Sequence, residues 1–382
     1  MNKVQFFRLA GILAVFLLAG CASYVEEQTT ARRFEWIVSP EVHPDNRVTF
    51  RYRAPDAGEV LVDAQFESDP VAMTLDTSGV WSGTLGPVKP DIYPYSFLVD
   101  GIRVMDSGNS HYFPNERFKG SLVDIRGETP LVHSLKDVPH GLVHYEYYPS
   151  ETLGTNARVL VYTPPGYEES SGVSYPVFYL VSGATDTEET YFKVGRANLI
   201  VDNLIAAGKA VPMIIVMPYA NPYPELRELN RQVEADLLAT DLFTDEIIHE
   251  VIPAIEENYR AQTGPENRAI AGFSLGGRQT LAAGLGHPEI FSWVFAYAPA
   301  IFDRELDDLF EKTYAGPEDL NEALNQLWVS CGRDDGLYEA SVKFTGLLKD
   351  KGINHETFFT DGGHTWMNCR LFLAETARRL FE

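Results

Sequence analysis

Cysteine and positive charge are both scarce in this sequence of 382 residues. Its three cysteines, Cys21, Cys331 and Cys369, exclude a disulfide-dense scaffold and are too few for a structural zinc site. Lys and Arg number 31 against 54 Asp and Glu, which gives a formal charge of −23. Such an acidic surface repels phosphate backbones, so nucleic acid is a poor candidate partner.

Hydrophobic runs long enough to cross a bilayer are also missing. The first twenty residues contain a shorter run, residues 9–20, which follows Lys3 and Arg8 and is typical of an export signal. The end of this run, residues 17–21, resembles the cleavage box of bacterial lipoproteins, in which the cysteine thiol receives a diacylglycerol.

The lipoprotein resemblance divides the start of the chain. It implies a signal peptide over residues 1–20, lipidation of Cys21 and a tether over residues 21–32. Ala22, rather than Asp, follows the cysteine, which implies an exported lipoprotein held at the outer membrane, on its periplasmic or cell-surface face. An ordinary secretory peptide with a chance cysteine is the alternative.

Residues 33–126 show hydrophobic alternation with a period of two, interrupted by frequent turn residues. This pattern predicts a small antiparallel β-sandwich. The segment resembles the immunoglobulin-like early-set domains related to carbohydrate-binding module family 48, through residues 48–51, 79–81 and 95–101. Trp81 is interpreted first as a core residue of a short strand and second as a platform for a sugar.

The pattern changes after a linker predicted over residues 127–140, which contains Gly127, Pro130 and Pro139. Over residues 141–382, apolar strand-like runs alternate with helical stretches, which predicts a mostly parallel sheet covered on both faces, an α/β fold. The predicted strands are residues 159–162, 177–181, 213–217, 269–272, 293–298, 327–330 and 357–359.

One short motif in this region is typical of nucleophilic catalysis. Gly272-Phe273-Ser274-Leu275-Gly276 follows a predicted strand and precedes a helical stretch, which is the setting of a nucleophile elbow. The turn would hold Ser274 out at the carboxyl edge of the sheet. The amide of Leu275, at the start of the helix, would face a developing oxyanion.

A serine nucleophile needs a base and a group that orients the base, and two later loops offer them. His364 follows the last predicted strand, and both Asp334 and Asp335 follow the strand before it. The order Ser, Asp, His along the chain is that of alpha/beta-hydrolases. Spacing alone leaves the choice between the two aspartates open.

Other candidates for this chemistry are weaker. His355 lies at the opposite end of the last predicted strand, and His249 and His287 lie in helical stretches. Asp361 is interpreted as a turn residue. We predict no metal site, because His249-Glu250 has no second histidine at the spacing of a zinc-binding helix.

Residues 141–381 resemble the esterase D-like branch of the alpha/beta-hydrolases, and most closely carbohydrate esterase family 1. The matching stretches are residues 161–167, 176–180, 212–219, 271–277, 331–335 and 362–366. The resemblance implies a triad of Ser274, Asp335 and His364, with Asp335 preferred to Asp334. It also implies an oxyanion hole formed by the amides of Leu275 and Ala184, and a substrate pocket that includes Ser182, Tyr219 and Trp366.

Two positions depart from this family. Ser182-Gly183 stands where relatives usually have His-Gly, and Cys369-Arg370 stands where they usually have Trp-Arg. Because a hydroxyl is shorter than an imidazole, we expect the turn at Ser182 to be held less firmly or by different partners. Cys331 and Cys369 are either two buried free thiols, the preferred interpretation, or a disulfide between neighbouring loops.

The family resemblance implies a serine esterase that hydrolyses acyl esters on plant polysaccharides or their fragments through an acyl-enzyme, without metal or organic cofactor. Feruloyl esters are the first expectation and acetyl esters the second. A siderophore esterase of the enterochelin type is an alternative, but its anionic substrate fits poorly with a formal charge of −23. A catalytically idle glycan-binding surface lipoprotein is the other alternative.

Overall fold

The computed structural model describes residues 36–220, 240–301 and 316–382, and for residues 240 and 241 it describes the backbone only. The predicted signal peptide, the lipidation site Cys21 and the tether lie outside these ranges. The chain divides into two compact units, Met1–Val38 and Ser39–Glu382. Residues 36–38, the described part of the first unit, have no regular secondary structure. No helix in the described ranges is long and apolar enough to cross a membrane.

The second unit begins with two antiparallel sheets. The first has the order β1-β2-β6-β5, and the second has the order β4-β3-β7-β10-β9, with β8 paired to β7. Their bounds are Glu41–Val42 (β1), Val48–Arg53 (β2), Val60–Ala64 (β3), Val71–Ala72 (β4), Thr74–Leu75 (β5), Val80–Leu85 (β6), Asp91–Val99 (β7), Ile102–Val104 (β8), Tyr112–Phe113 (β9) and Gly120–Ile125 (β10).

The two sheets share one apolar core, which confirms the predicted sandwich. Phe50 of β2 packs against Tyr95 of β7, with ring centroids 4.7 Å apart. Trp81 lies in the same core at 8% exposure, and its indole nitrogen donates a hydrogen bond of 2.8 Å to the Ala54 carbonyl. Trp81 therefore packs as a core residue and does not offer an open face to a sugar.

Residues 126–141, between the sandwich and the next sheet, form neither helix nor strand but are held in place. The imidazole of His140 lies 2.8 Å from the buried carboxylate of Asp202. The side chain of Asn203 donates hydrogen bonds of 2.7 and 2.8 Å to the carbonyls of Val132 and Ser134. The predicted linker is thus anchored along its length.

An eight-stranded sheet with the order β11-β12-β14-β13-β15-β16-β17-β18 follows. The pairs β11·β12 and β12·β14 are antiparallel, and the other pairs are parallel. The strands are Leu142–Ser150 (β11), Thr155–Thr163 (β12), Val177–Val181 (β13), Ile214–Pro218 (β14), Arg268–Phe273 (β15), Trp293–Tyr297 (β16), Gln326–Gly332 (β17) and Glu356–Thr360 (β18).

Helices cover both faces of this sheet. They are Thr190–Lys193 (α1), Ala197–Ala206 (α2), Thr240–Glu246 (α3), Ile252–Asn258 (α4), Leu275–Gly286 (α5), Pro317–Ala323 (α6), Tyr338–Asp350 (α7) and Trp366–Ala377 (α8), with a π-helical turn at Ile247–Val251 and a 3₁₀ turn at Pro265–Asn267. Alternate residues of β13 enter two different apolar clusters: Tyr179 joins one and Phe178 the other. Both faces are therefore buried, and the predicted α/β fold is confirmed.

A buried arginine joins the sandwich to the α/β region. Arg370 of α8 is 2% exposed. Its guanidinium donates to the carboxylate of Asp91 and to the carbonyls of Ile92 and Val194, at 3.1 and 2.8 Å for the two carbonyls. Asp91 opens β7, so one cation spans the junction. Arg370 therefore has a structural role at this junction.

His133 lies beside this ion pair, and we expect its titration to make the junction sensitive to acid. The side chain is 7% exposed, with Nε2 3.6 Å from Asp91 Oδ1. Burial, and then the charge of Arg370, lowers the pKa of His133 from 6.5 to about 4. The unfolded chain therefore takes up this proton first as the pH falls. The contribution to stability is complete above pH 6.5 and is lost between pH 6.5 and about 4.

We expect His133→Asn to lose less stability on acidification than the wild-type protein, by roughly 2 to 3 kcal/mol between pH 7 and pH 4.5. Urea unfolding at the two pH values measures this difference. The matched control is His287→Asn, which removes a histidine whose side chain is 41% exposed and should follow the wild type. An equal acid-induced loss in all three proteins would contradict the assignment to His133.

Candidate active site

Ser274 lies on a strained turn between β15 and α5. Its φ and ψ are 60° and −115°, a conformation that few residues other than glycine adopt. Side chains would not fit at the flanking glycines. A Cβ on Gly272 would lie 2.2 Å from the Gly276 carbonyl oxygen, and one on Gly276 would lie 2.4 Å from the Ser182 carbonyl oxygen. The turn thus has the geometry expected of a nucleophile elbow.

The structure brings His364 to Asp335. His364 Nδ1 lies 2.7 Å from Asp335 Oδ2, and the Asp335 side chain is 1% exposed. The other oxygen of Asp335 accepts a hydrogen bond of 2.8 Å from the Leu337 amide. These two contacts fix the carboxylate, which can hold the proton on Nδ1 and leave Nε2 as a proton acceptor.

Asp334 has a different role. Its side chain is exposed, and one oxygen accepts a hydrogen bond of 3.3 Å from the Gly362 amide. It therefore braces the loop that carries His364, whereas the imidazole contacts Asp335. The neighbouring Asp361 is fully exposed, with an oxygen 3.7 Å from the Arg333 guanidinium, as expected of a turn residue.

An aromatic stack positions the histidine over the elbow. The imidazole of His364 stacks on Phe273, the residue before Ser274, with centroids 4.4 Å apart and an interplanar angle of 23°. Trp366 packs against Phe273 at 5.7 Å and against Tyr191 at 4.9 Å, and is 6% exposed. The structure therefore places Trp366, predicted for the pocket, in the buried aromatic layer that supports Phe273.

The segment predicted to complete the oxyanion hole lies beside the serine. A Cβ added to Gly183 would lie 3.5 Å from the Ser274 Cβ. Within residues 36–220, 240–301 and 316–382, the amides of Leu275 and Ala184 have no hydrogen-bond acceptor. Both segments thus have an N–H group to offer, and the two amides stay our predicted oxyanion donors.

Ser182 is buried, and its hydroxyl makes only a long contact. The residue is 2% exposed, and Oγ donates a hydrogen bond of 3.3 Å to the Thr187 carbonyl. Asp186 also stabilises this turn, since its Oδ2 accepts a hydrogen bond of 3.2 Å from the Gly183 amide. We expected this turn to be held either less firmly or by different partners. The contact with Asp186 favours the second of these expectations.

Sequence reasoning missed Asp186 and the residue that holds it. Asp186 is 5% exposed, and its Oδ1 accepts a hydrogen bond of 2.8 Å from the Asn115 side chain. Burial raises the pKa of the Asp186 carboxyl from 3.8 to about 7, against the opposing effects of these hydrogen bonds and of His364. No local pattern marks this pair, since 71 residues separate the two side chains along the chain.

Tyr219, predicted for the pocket, follows the end of β14 and is half-buried. Its hydroxyl donates a hydrogen bond to the carboxylate of Glu116, which belongs to the loop between β9 and β10 of the sandwich. The sandwich therefore contacts both the turn beside Ser274 and a predicted wall of the pocket.

The remaining candidates lie apart from this group. His355 Nδ1 contacts the Ile353 carbonyl at 2.9 Å, and His287 Nδ1 lies 3.1 Å from Glu289. Cys331 and Cys369 are buried free thiols, so the alternative of a disulfide is wrong. Burial raises the pKa of both thiols from 9.0 to about 12. In the described ranges, no three His, Cys, Asp or Glu side chains are grouped so as to hold a metal ion.

Comparison with known proteins connects this chain to a family and to named relatives. The model of the Esterase family matches residues 150–379. The chain is 30% identical over 350 residues to an endo-1,4-beta-xylanase/feruloyl esterase of Xylanibacter ruminicola, covering 90% of this chain and 46% of the relative. It is 24% identical over 249 residues to an uncharacterized protein of Corynebacterium glutamicum, covering 59% and 57%. The chain thus spans about half the length of these two relatives.

Two solved structures share the fold. A CE1 ferulic acid esterase from Anaeromyces mucronatus has a TM-score of 0.55 and 22% identity, and the match covers 72% of this chain and 97% of that one. The enterobactin esterase of Shigella flexneri has a TM-score of 0.62 and 16% identity, and the match covers 87% and 93%. The second match is long enough to include strands of the sandwich.

Proposed function

Because the chain belongs to the Esterase family, we propose that it is a serine ester hydrolase whose acyl acceptor is Ser274. The observation that carries the proposal is the arrangement at the carboxyl ends of the parallel strands in the eight-stranded sheet. There the strained Ser274 turn ends β15, and the His364–Asp335 pair, 2.7 Å apart, follows β18 and β17. This arrangement supplies a nucleophile, a base and a group that orients the base.

The proposed reaction has two symmetrical halves. Ser274 Oγ attacks the acyl carbon while its proton passes to His364 Nε2, and the carbonyl oxygen becomes an oxyanion bound by the amides of Leu275 and Ala184. Collapse breaks the ester C–O bond, and the leaving alcohol oxygen takes the proton from His364. Water then attacks the acyl-enzyme by the same route, giving a carboxylic acid and free Ser274. Asp335 holds the imidazole and stabilises its cationic form throughout.

We propose feruloyl esters on plant polysaccharides, or on their oligosaccharide fragments, as the substrate class. The support is the relative that combines the names xylanase and feruloyl esterase, to which 90% of this chain aligns. Acetyl esters are the second choice within the same mechanism, since the triad does not depend on the acyl group.

An enterochelin-type siderophore esterase is a second candidate, and one likeness in fold brings it into consideration. The match to the enterobactin esterase covers 87% of this chain and so reaches beyond the α/β region. At 16% identity this match supports the fold alone. The formal charge of −23 opposes binding of a strongly anionic ferric catecholate, so we place this candidate below the feruloyl ester.

A panel of soluble esters tests the substrate class. It consists of methyl ferulate, a feruloylated arabino-oligosaccharide, an acetylated xylo-oligosaccharide and a catecholate trilactone, each assayed at several concentrations. We expect kcat/KM for the feruloyl esters to exceed that for the trilactone by at least about tenfold. Preference for the trilactone would replace the proposed substrate class, and preference for the acetylated sugar would change the acyl group only.

We also propose that the protein is an outer-membrane lipoprotein anchored through Cys21. The support is the apolar run that ends in Leu17-Leu18-Ala19-Gly20-Cys21. In bacterial cells supplied with radioactive palmitate, Cys21→Ser should lose the label and the membrane association that the wild type shows. Ser23→Ala is the matched control and should keep both. Labelling of the Cys21→Ser protein at the wild-type level would contradict the anchor.

A further inference from the structure

A loop of the β-sandwich lies directly on the turn beside Ser274. This sandwich loop, residues 114–119, connects β9 to β10. The turn, residues 182–187, follows β13 and is called the oxyanion turn below. Asn115 and Asp186 form an antiparallel bridge, and the Glu116 amide donates a hydrogen bond of 2.8 Å to the Thr185 carbonyl. Backbone and side-chain contacts therefore join the two segments.

The Asn115 side chain has a single orientation that satisfies its neighbours. Its Oδ1 accepts hydrogen bonds from the amides of Arg117 and Phe118, at 2.9 and 2.8 Å. The carbonyl end is thus committed to its own loop, and the NH₂ end must point away from it. That end donates to Asp186 Oδ1 at 2.8 Å, and Asn115 is 7% exposed.

Asp186 connects the Asn115 side chain to Gly183 within the oxyanion turn. Its Oδ2 accepts the Gly183 amide at 3.2 Å, and its own amide donates to the Gly183 carbonyl at 3.1 Å. Within the turn, Thr185 has a φ of 64°, which costs a residue with a side chain free energy unless its surroundings hold it. The contacts therefore run from the sandwich loop through Asp186 to Gly183, where an added Cβ would lie 3.5 Å from the Ser274 Cβ.

The chemistry of Asp186 is unusual for a residue that serves stability alone. A carboxyl group at 5% exposure carries a desolvation cost, and an apolar or amide side chain would avoid it. A carboxylate has one property that an amide lacks, since both of its oxygens accept hydrogen bonds. Asp186 uses this property to bind two N–H donors, Asn115 Nδ2 on one side and the Gly183 amide on the other.

We propose that Asn115 and Asp186 are positioning residues of the esterase site, through which the β-sandwich fixes the oxyanion turn and the Ala184 amide beside Ser274. The inference rests on the proposed function, because it assigns these residues to the same reaction. It gives the sandwich a part in the chemical step, distinct from binding a glycan.

Single substitutions at either position should slow the chemical step. In Asp186→Asn an NH₂ group replaces one oxygen and faces either Asn115 Nδ2 or the Gly183 amide, so one N–H donor loses its acceptor. In Asn115→Asp two carboxylates face each other. On a soluble aryl ester we expect each variant to lower kcat roughly 10- to 100-fold, part of the loss seen when an oxyanion donor is removed, while KM changes less than about threefold.

The exchanged pair provides the decisive variant. In Asn115→Asp combined with Asp186→Asn, the new carboxylate still accepts the amides of Arg117 and Phe118 and also accepts the NH₂ group introduced at position 186. The amide oxygen at position 186 accepts the Gly183 amide. The hydrogen bond between the two side chains and those from the Arg117, Phe118 and Gly183 amides are restored with the same total charge, so we expect kcat to return to within about threefold of the wild type.

Asp361→Asn is the matched control, since it removes a fully exposed carboxylate from a nearby loop and should leave kcat unchanged. Thermal unfolding of each variant measures folding. If a single variant does not fold, Asn115→Ser replaces it, because the hydroxyl can accept the loop amides but is too short to reach Asp186. Wild-type kcat in the folded single variants, or no recovery in the exchanged pair, overturns the proposal.

The outcome separates this proposal from the proposed function. If Ser274→Ala keeps the esterase activity, the function itself fails. If Ser274→Ala is inactive while the folded Asp186→Asn variant is fully active, the function stands and the positioning role of Asn115 and Asp186 fails.

Discussion

Ser274→Ala should lower kcat by roughly three to six orders of magnitude, as loss of a triad nucleophile does in other serine hydrolases. The methyl group at this position keeps the volume near Phe273 and removes only Oγ, the proposed acyl acceptor. Because the turn geometry does not depend on that oxygen, the unfolding temperature should stay within about 2 °C of the wild type.

The matched control for this variant is Ser107→Ala, which changes an exposed serine of the sandwich and should be fully active. Initial rates on a soluble aryl ester give the comparison. The amount of folded protein in each sample is measured by its unfolding transition. Hydrolysis by Ser274→Ala at more than about a hundredth of the wild-type rate would identify another nucleophile or a different reaction.

Asp335→Asn should have the second largest effect, a loss of roughly 10⁴ in kcat. The wild-type carboxylate lies 2.7 Å from His364 Nδ1 and accepts its proton in a hydrogen bond. An amide at this position is held by the Leu337 amide through its oxygen, so that its NH₂ group faces the imidazole. That arrangement favours the tautomer with the proton on Nε2, which cannot accept the proton of Ser274.

The adjacent aspartate is the control for this experiment. Asp334→Asn should cost less than about tenfold, since Asp334 contacts the Gly362 amide and affects the histidine only through its loop. The kcat values of the two variants on one substrate decide between the aspartates. A larger loss in Asp334→Asn than in Asp335→Asn would reverse the assignment.

The elements of the α/β region were predictable because burial imposes a simple pattern on them. A strand covered on both faces needs a continuous apolar run, and residues 177–181 were predicted from such a run and form β13 with the same bounds. The elbow was predictable for a related reason. A close turn between a strand and a helix requires small residues, and Gly272 and Gly276 have no room for a Cβ.

Contacts between distant loops were not predictable in the same way. The choice between Asp334 and Asp335 depends on one residue of loop geometry, which neither hydrophobic periodicity nor turn propensity determines. The Asn115–Asp186 contact depends on how the sandwich packs on the sheet, and both residue types are common in loops for local reasons. The residues around such a contact in the sequence therefore show no pattern that predicts it.

The position of Trp366 gives a third example. The family resemblance implies that Trp366 belongs to the substrate pocket. The structure instead packs the indole against Phe273 and Tyr191, where its area stabilises the residue under the imidazole. Trp366 is close to His364 along the chain, but this closeness did not show on which side of His364 the indole would lie.

Covalent labelling of Ser274 tests the central claim most directly. The wild-type protein is incubated with a fluorophosphonate, and intact mass followed by peptide mapping locates the label. We predict one label per chain, on Ser274, with labelling abolished in Ser274→Ala and slowed by orders of magnitude in Asp335→Asn, because only an activated serine reacts. An unlabelled wild-type protein, as expected of a catalytically idle glycan-binding lipoprotein, or a label on another residue would contradict the assignment of Ser274 as the nucleophile.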